Sequence, residues 1–393
     1  YTIDDYISEE EFKERQQRGI SKKGDILFTT EAPLGNAALA DMEKFSAGQR
    51  LITFQQYGSK DELINYVMLM FILSDFFQQQ LYVNKTGSTV AGIKAAILKT
   101  LWIPVPPYNE QLRISNTLKS AINLIDSISK NKEILSTSIS NTKSKILDLA
   151  IRGKIVPQDP NDEPASVLLE RIRAEKEELI KHGKIKRDKK ESVIFKGDDN
   201  SYYLRTGGVE ESLEDWRFDD LPETWKICCL WELCDYGDCI NVNTEDIAED
   251  AWILDLEDIE KDTGTVLKKV TKAQRNSVST KHKFHSGQVL YSKLRPYLNK
   301  VVLSDADGYC TSEILPLEFK NCVLPEYARY YLMSGTFIAY ANHCSYGVKM
   351  PRLGTTDGKK AIFSLPPLSE QKRIVETIDF CFMQLNKISE ALA

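Results

Sequence analysis

The frame P-P-x-x-E-Q-x-R-I occurs twice in this chain, and that recurrence constrains its architecture more than any other feature. It reads VPPYNEQLRI from Val105 to Ile114 and LPPLSEQKRI from Leu365 to Ile374, an offset of 260 residues. The same offset sets Gly87 against Gly347 without a gap. Upstream, GDILF (Gly24 to Phe28) matches GQVLY (Gly287 to Tyr291) with a slip of three residues. A repeat this long is a duplicated domain, not a short solenoid array. A chain of 393 residues is also too long for one ordinary core. The second copy begins near Leu221, so the first lacks an opening equivalent to roughly 40–60 residues. Residue 1 is Tyr rather than Met. The expectation is that the numbered chain lacks its natural start.

The segments after the two proline pairs repeat as well. After Pro107, one apolar seam is Leu118, Ile125, Lys132, Ile139, Ile146; the other is Ala121, Ile128, Leu135, Thr142, Leu149. After Pro367 the seams are Ile378, Leu385, Leu392 and Ile374, Cys381, Ile388. Steps alternating by three and four are those of a coiled-coil face. Shifted by 260, Ile378 falls on Leu118 and Ile388 on Ile128, so the two copies share one register. That favours two helices packing together over two amphipathic helices each lying on its own domain. The prolines suit a helix entrance, and Glu110 and Glu370 fall in the first turn, where the helix dipole favours a carboxylate. The first long helix is expected to end near Arg152. A turn-rich VPQDPNDEP comes next, and another helix starts after Pro164. Lys181 to Asn200 reads as a solvated linker with a basic run. Before each proline pair the chain reads as mixed α and β. Strands are expected at Trp252–Ile259 and Gln288–Leu294, and single helices at Glu62–Tyr82 and Pro325–Cys344. The expected divisions are residues 1–107, 108–200, 201–367 and 368–393.

Composition removes several classes. Hydrophobic residues make up 42% and charged residues 27%, which is ordinary for a soluble globular protein. No apolar run approaches the roughly 20 residues of a membrane span, and no secretory signal is visible. All eight cysteines lie in the second half without C-x-x-C pairs, the pattern of scattered reduced thiols in a cytoplasmic protein. The net charge of −6 argues against a uniformly basic nucleic-acid binder but leaves room for a local basic surface. Thr265 to Lys300 carries Lys268, Lys269, Lys272, Arg275, Lys281, Lys283, Lys293, Arg295 and Lys300 with no Asp or Glu among them.

Catalytic readings fail on residue chemistry. Val105-Pro106-Pro107-Tyr108 is one residue from the D/N/S-P-P-Y/F tetrapeptide of amino-methylating DNA methyltransferases. That motif needs a polar first residue to accept a hydrogen bond from a flipped base, and Val105 and Leu365 cannot accept one. GSTVAGIK (Gly87 to Lys94) misses a phosphate loop because Ile93 occupies the lysine position. No nucleophile elbow or H-E-x-x-H is present. The four histidines form no recognisable ligand set, so no catalytic or metal residue is assigned. The carboxylates of Asp255 to Asp258 read as an exposed acidic loop or strand end rather than a nuclease site. DNA binding survives: KHKFHSGQVLYSKLRPYLNKV interleaves Lys281, Lys283, His285, Lys293, Arg295, Tyr297 and Lys300. Arg295 suits a guanine edge or a phosphate, and lysines neutralise backbone charge. The alternative is a solvated strand pair with Arg295 in an internal salt bridge. The stretch with Gly347, Lys349 and Arg352 is a second candidate, and Lys85 to Lys94 is its first-copy counterpart.

Through its twin proline frames, the segment AIRGKIVPQDPNDEPASVLLERIRAEKEEL (Ala150 to Leu179), GQVLYSKLRPYLNKV and GDILFTTEAPLGNAAL, the chain resembles the specificity subunit of a type I restriction–modification enzyme. The resemblance spans essentially the whole sequence. It implies an α+β chain with two similar α/β target-recognition domains, joined by two long helices in an antiparallel coiled coil with internal pseudo-twofold symmetry. It implies a non-catalytic reader of a bipartite, asymmetric site in double-stranded DNA, with the helices setting the spacing. It further implies two modification subunits that methylate adenine with S-adenosylmethionine, then restriction subunits using ATP and Mg, and no cofactor held by this chain. A coiled-coil adaptor that binds only proteins is the alternative from another class.

Overall fold

The computed structural model describes residues 6–15, 20–48, 50–56, 64–87, 91–183, 191–214, 220–275 and 278–392. They form two compact units, Tyr1–Lys132 and Glu133–Ala393, so the division by packing falls inside the first long helix. The first unit runs α1 (Glu9–Arg15), β1 (Ile26–Thr29), β2 (Ala37–Leu39), β3 (Leu51–Phe54), α2 (Asn65–Ile72), α3 (Asp75–Asn84), α4 (Ala95–Leu98) and the start of α5 (Tyr108–Ala150). Strand β1 lies between β2 and β3, antiparallel to both. Its residues alternate, and Ile26 and Phe28 point into a core closed by Met68, Leu69, Ile72, Phe77 and Leu81 of α2 and α3. A two-residue period on the strand meets a helical period on the pair that covers it.

The second unit contains the end of α5, then α6 (Ala165–Lys181), β4 (Ser192–Lys196), β5 (Tyr202–Thr206), β6 (Val209–Ser212), β7 (Lys226–Cys229), α7 (Leu230–Leu233), β8 (Ile240–Val242), β9 (Trp252–Leu254), β10 (Val270–Thr271) and β11 (Lys281–Phe284). It continues with β12 (Val289–Ser292), β13 (Val301–Leu303), β14 (Gly308–Thr311), β15 (Ile314–Leu317), α8 (Pro325–Leu332), α9 (Gly335–His343), α10 (Thr355–Lys360), β16 (Ile362–Leu365) and α11 (Leu368–Ala391). Strand β12 lies between β13 and β15 as β1 does between β2 and β3. The registers agree: Ile26 faces Phe54, and Val289 faces Leu317. The second unit adds a five-stranded sheet, β10-β9-β14-β11-β8, with its own core around Trp252, Phe284 and Cys310.

Both expected long helices are broken. The stretch Glu62–Tyr82 holds α2 and α3, although residues 61–63 lie outside the described ones, and Pro325–Cys344 holds α8 and α9. The breaks sit at Ser74 and Ser334, which are 260 residues apart. Each hydroxyl donates to the carbonyl three residues back, Phe71 or Tyr331, at 2.6 Å. Ser334 Oγ also accepts from Phe337 N at 3.3 Å. A side chain that bonds its own backbone ends a helix, and Ser334 also caps the one that follows.

The glutamine of the repeated frame explains much of the duplication. Gln111 Oε1 accepts from Ile64 N at 2.8 Å, and its Nε2 donates to Pro106 O at 2.8 Å. Gln371 Oε1 accepts from Leu324 N at 2.8 Å, and its Nε2 donates to Pro366 O at 3.0 Å. Both side chains are fully buried. Each ties the start of a helix pair to the exit into a long helix. The glutamates differ. Glu110 is exposed, whereas Glu370 is buried and accepts from Trp225 Nε1 at 2.9 Å and from Gln158 Nε2. Burial raises the Glu370 carboxyl above its usual range despite those two donors.

Helix α11 lies antiparallel to the second-unit part of α5. Ser364, just before α11, donates to Ile151 O, just after α5, at 2.8 Å, while Lys143 donates to Asn386 at 2.6 Å, so the numbers run in opposite senses. Of the expected pairing residues, Ile378 is buried and Leu385 half-buried. Leu118 is half-buried within the first unit, whereas Ile125, Ile128, Leu135 and Ile388 are exposed. Ile139, from the same seam, is buried.

The linker expectation is corrected in its second half. Ser192–Lys196 is strand β4 of a meander with β5 and β6, and Ile194 and Leu204 pack with Ile227, Cys229 and Ile362. The basic run at residues 184–190 lies outside the described residues. Strand β16 pairs antiparallel with β7. The corresponding residues 102–105 of the first unit have no strand partner among the described residues. Instead the Gln80 side chain bonds Trp102 N at 2.9 Å and Trp102 O at 3.1 Å, leaving the indole 80% exposed.

Candidate nucleic-acid interface

Most of the cationic segment Thr265–Lys300 is engaged internally. Arg275 reaches Asp255 and Asp258 at 2.5 Å each, and Lys268 lies 3.7 Å from Asp258. Lys269 pairs with Asp305 at 2.7 Å, and Lys272 with Glu249 at 3.0 Å. Burial alone would lower the Arg275 pKa, but the bonds to Asp258 and Asp255 outweigh it and raise it. Asp258 is wholly buried at the centre of an ion-pair network, so the acidic stretch is not an exposed loop; it follows the end of a strand, the other form expected for it. Strand β9 accordingly ends at Leu254, where Asp255 caps the next turn. Lys281 is corrected too: it is 2% exposed, with Nζ 2.9 Å from Ser279 Oγ, which removes it from any surface. Lys300 donates to Leu256 O at 2.6 Å, and burial lowers its pKa.

The remaining candidates separate by position. Lys283 is exposed on β11, in the five-stranded sheet. His285 precedes β12 and lies 2.8 Å from Glu318. Lys293, Arg295 and Tyr297 come after β12, at the other end of that strand, so the structure does not bring His285 to them. Arg295 takes the left-handed conformation, φ 49° and ψ 65°, which a non-glycine residue adopts only under constraint. Its amide donates to Pro351 O at 2.7 Å, and Pro296 is next in the chain. Ala32 before Pro33 also has a positive φ, 45°, in the first unit, although the Ala32–Pro33 peptide is cis and Arg295–Pro296 is not. Arg295 has no carboxylate partner among the described residues, so the internal salt bridge considered for it is not formed there. Tyr297 is half-exposed.

The second candidate stretch is a loop with a fixed base. Tyr346 and Arg352 exchange two backbone bonds, 3.1 and 2.9 Å, and Leu353 N donates to Lys293 O at 3.0 Å. Gly347 turns the chain at φ 98°, a region open to glycine at little cost. The Arg352 guanidinium grips Glu313 through Nε and Nη2 at 3.0–3.2 Å, and its Nη1 donates to Met350 O at 3.3 Å. The Glu313 bonds raise its pKa. Arg352, expected as a DNA contact, therefore holds the loop. Lys349 is exposed at the tip, beside Val348 and Met350. Sequence reasoning passed over those two apolar residues; the repeated Gly87/Gly347 pair was the signal that marked the loop.

The first unit has the same base. Thr86 and Gly92 exchange bonds of 2.8 and 2.9 Å, Ile93 N donates to Thr30 O at 3.0 Å, and Gly87 has φ 94°. Lys85 flanks the loop with its ammonium 3.6 Å from the Tyr82 ring centroid, and Lys94 is exposed at the start of α4. Residues 88–90 lie outside the described ones.

Comparison with known proteins gives a consistent set of likenesses. The profile of the family described as type I restriction modification DNA specificity domain matches residues 1–136 and 222–391. The chain is 24% identical over 382 residues to the type I restriction enzyme EcoDI specificity subunit of Escherichia coli, covering 94% of this chain and 75% of that one. It is 31% identical over 262 residues to the EcoAI specificity subunit of the same organism, covering 64% and 41%. Two solved structures share the fold at 16% identity over 95% of this chain. One is the HsdS subunit from Thermoanaerobacter tengcongensis, with TM-score 0.51 and 77% of that chain covered. The other comes from work on complex assembly and conformational transition of the type I R-M system, with TM-score 0.56 and 78% covered.

Proposed function

Because the chain belongs to the type I restriction–modification DNA specificity family, and so is a DNA sequence-specificity subunit, we propose that each of its two units reads one half of a bipartite, asymmetric site. The observation that carries this reading is the repeated loop base. A left-handed residue before proline, a glycine turn and a two-bond bridge recur at matching positions in both units. Two copies of one loop base, set in different sequences, suit two different half-sites. Phosphate contacts position such a protein and base contacts specify the sequence. Lys293, Arg295, Tyr297 and Lys349 supply these in the second unit, and Lys85 and Lys94 flank the corresponding loop in the first. Lys283 and His285 are left to phosphate contacts elsewhere. The long helices set half-site spacing, and the exposed stretch around Ile125 and Ile128 docks modification subunits.

The chain itself performs no catalysis in this proposal. Burial pushes the Cys229 thiol up to about 12 and that of Cys322 to about 11, which disfavours thiolates. Among the described residues no group of three or more His, Cys, Asp or Glu is placed to hold a metal. Adenine methylation with S-adenosylmethionine, and ATP- and Mg-dependent restriction, then belong to the two modification subunits and the restriction subunits, in the cytoplasm. No helix among the described residues is long and apolar enough to cross a membrane. Deleting the gene in a strain that expresses the system and reading genomic adenine methylation tests the proposal. One bipartite methylated motif should vanish, and an unchanged methylome overturns it.

A further inference from the structure

The loop at Gly347–Pro351 combines a rigid base with an apolar tip facing solvent. Its base is held by the Tyr346–Arg352 bridge, the Leu353–Lys293 bond, the Arg295 N–H on Pro351 O and the Arg352–Glu313 fork. Its tip carries Val348, fully exposed at 103%, and Met350, 48% exposed. They flank the exposed Lys349, and the loop base is bonded to the backbone of Lys293 and Arg295.

The geometry points to this loop as the base-reading finger of the second unit, with Val348 and Met350 contacting the methyl groups of T·A pairs in the major groove and Lys349 binding a flanking phosphate. The C5-methyl of thymine is the one apolar group that the major groove presents, so an apolar tip discriminates for it. A lysine beside it neutralises backbone charge without reading sequence. Arg352 and Glu313 are positioning residues: their fork and the bond to Met350 O fix where the tip stands. The inference rests on the half-site reading and deepens it.

The test uses the chain assembled with its modification subunits and a randomised duplex DNA pool, with bound DNA sequenced. Wild-type protein should enrich a bipartite motif; enrichment of no motif overturns both the half-site reading and the finger. Given a motif, Val348→Ala and Met350→Ala should each lower the preference for T·A at one or two adjacent positions of one half-site by about fivefold or more. The other half-site should be unaffected. Lys349→Ala should weaken binding evenly across sequences and reduce the salt slope by about 1. Truncating a fully exposed valine leaves no cavity, and an unchanged melting temperature identifies folded variants. Unchanged preference in both apolar variants overturns the finger while the half-site reading stands, and equal loss at both half-sites overturns the finger as well.

Discussion

Glu370 shows how one position of a repeated frame acquires a different role in each copy. Its partner Glu110 is solvated, but Glu370 is enclosed under Trp225 and Gln158. Its pKa in the folded protein is raised above the ordinary 4.5, by burial first. A raised carboxyl binds its proton more tightly when folded. Its contribution to stability is therefore fully present below about 4.5 and is lost as pH rises through the raised value. Glu370→Gln keeps an acceptor for Trp225 and removes the titration. In urea unfolding at about pH 4.5 and about pH 7, the variant should gain on the wild type as pH rises; a difference that does not change with pH would refute it. The sequence placed both glutamates in a first helical turn, and both are there. It did not reveal that only one is covered, because Trp225 and Gln158 are remote in sequence. The same limit explains Lys281, read as a DNA contact from a cationic run, and Arg352, read as one from the loop after Gly347. Burial in one case and Glu313 in the other decide their roles.

Elements were read best where periodicity carries them. Long helices after each proline pair arise from seven-residue seams, and the strand around Leu290 and the helix after Pro164 lie where pattern and proline place them. The broken helix pairs were not legible, because a serine inside an apolar run looks like any other small polar residue until its hydroxyl bonds the preceding turn. Nor was the β4–β6 meander, whose short strands come after a strongly charged run. The antiparallel sense of the helix pairing was legible in the second unit. Ile378 is fully buried in the second unit, so Ile378→Asp should lower its stability by about 3 kcal/mol or more, an uncompensated charge in a core. Ile125 is 60% exposed, and Ile125→Lys should stay within about 0.5 kcal/mol. Urea midpoints compare the two, and similar losses would show that the seam through Ile125 is covered after all.

At the scale of the molecule, the duplication makes a prediction about asymmetry. Arg295 stands in one unit at a position where the other has Ala32. Arg295→Ala in the assembled complex should cost about 1–3 kcal/mol of binding and relax recognition in one half-site only. Methylation maps of the variant read this directly, and equal relaxation of both halves would place Arg295 in the shared framework instead. The sequence by itself determined that there are two related units, that long helices come after each, and that no familiar catalytic set is present. Those are properties of order and spacing along the chain. Only the tertiary structure decided which charges are free, because an ion pair such as Arg275 with Asp258 joins segments that the sequence keeps apart. It also decided that the glycine-turned loops share one anchored base while the second presents an apolar tip. Backbone bonds between Lys293 and Leu353, or Thr30 and Ile93, leave no side-chain signature in the sequence.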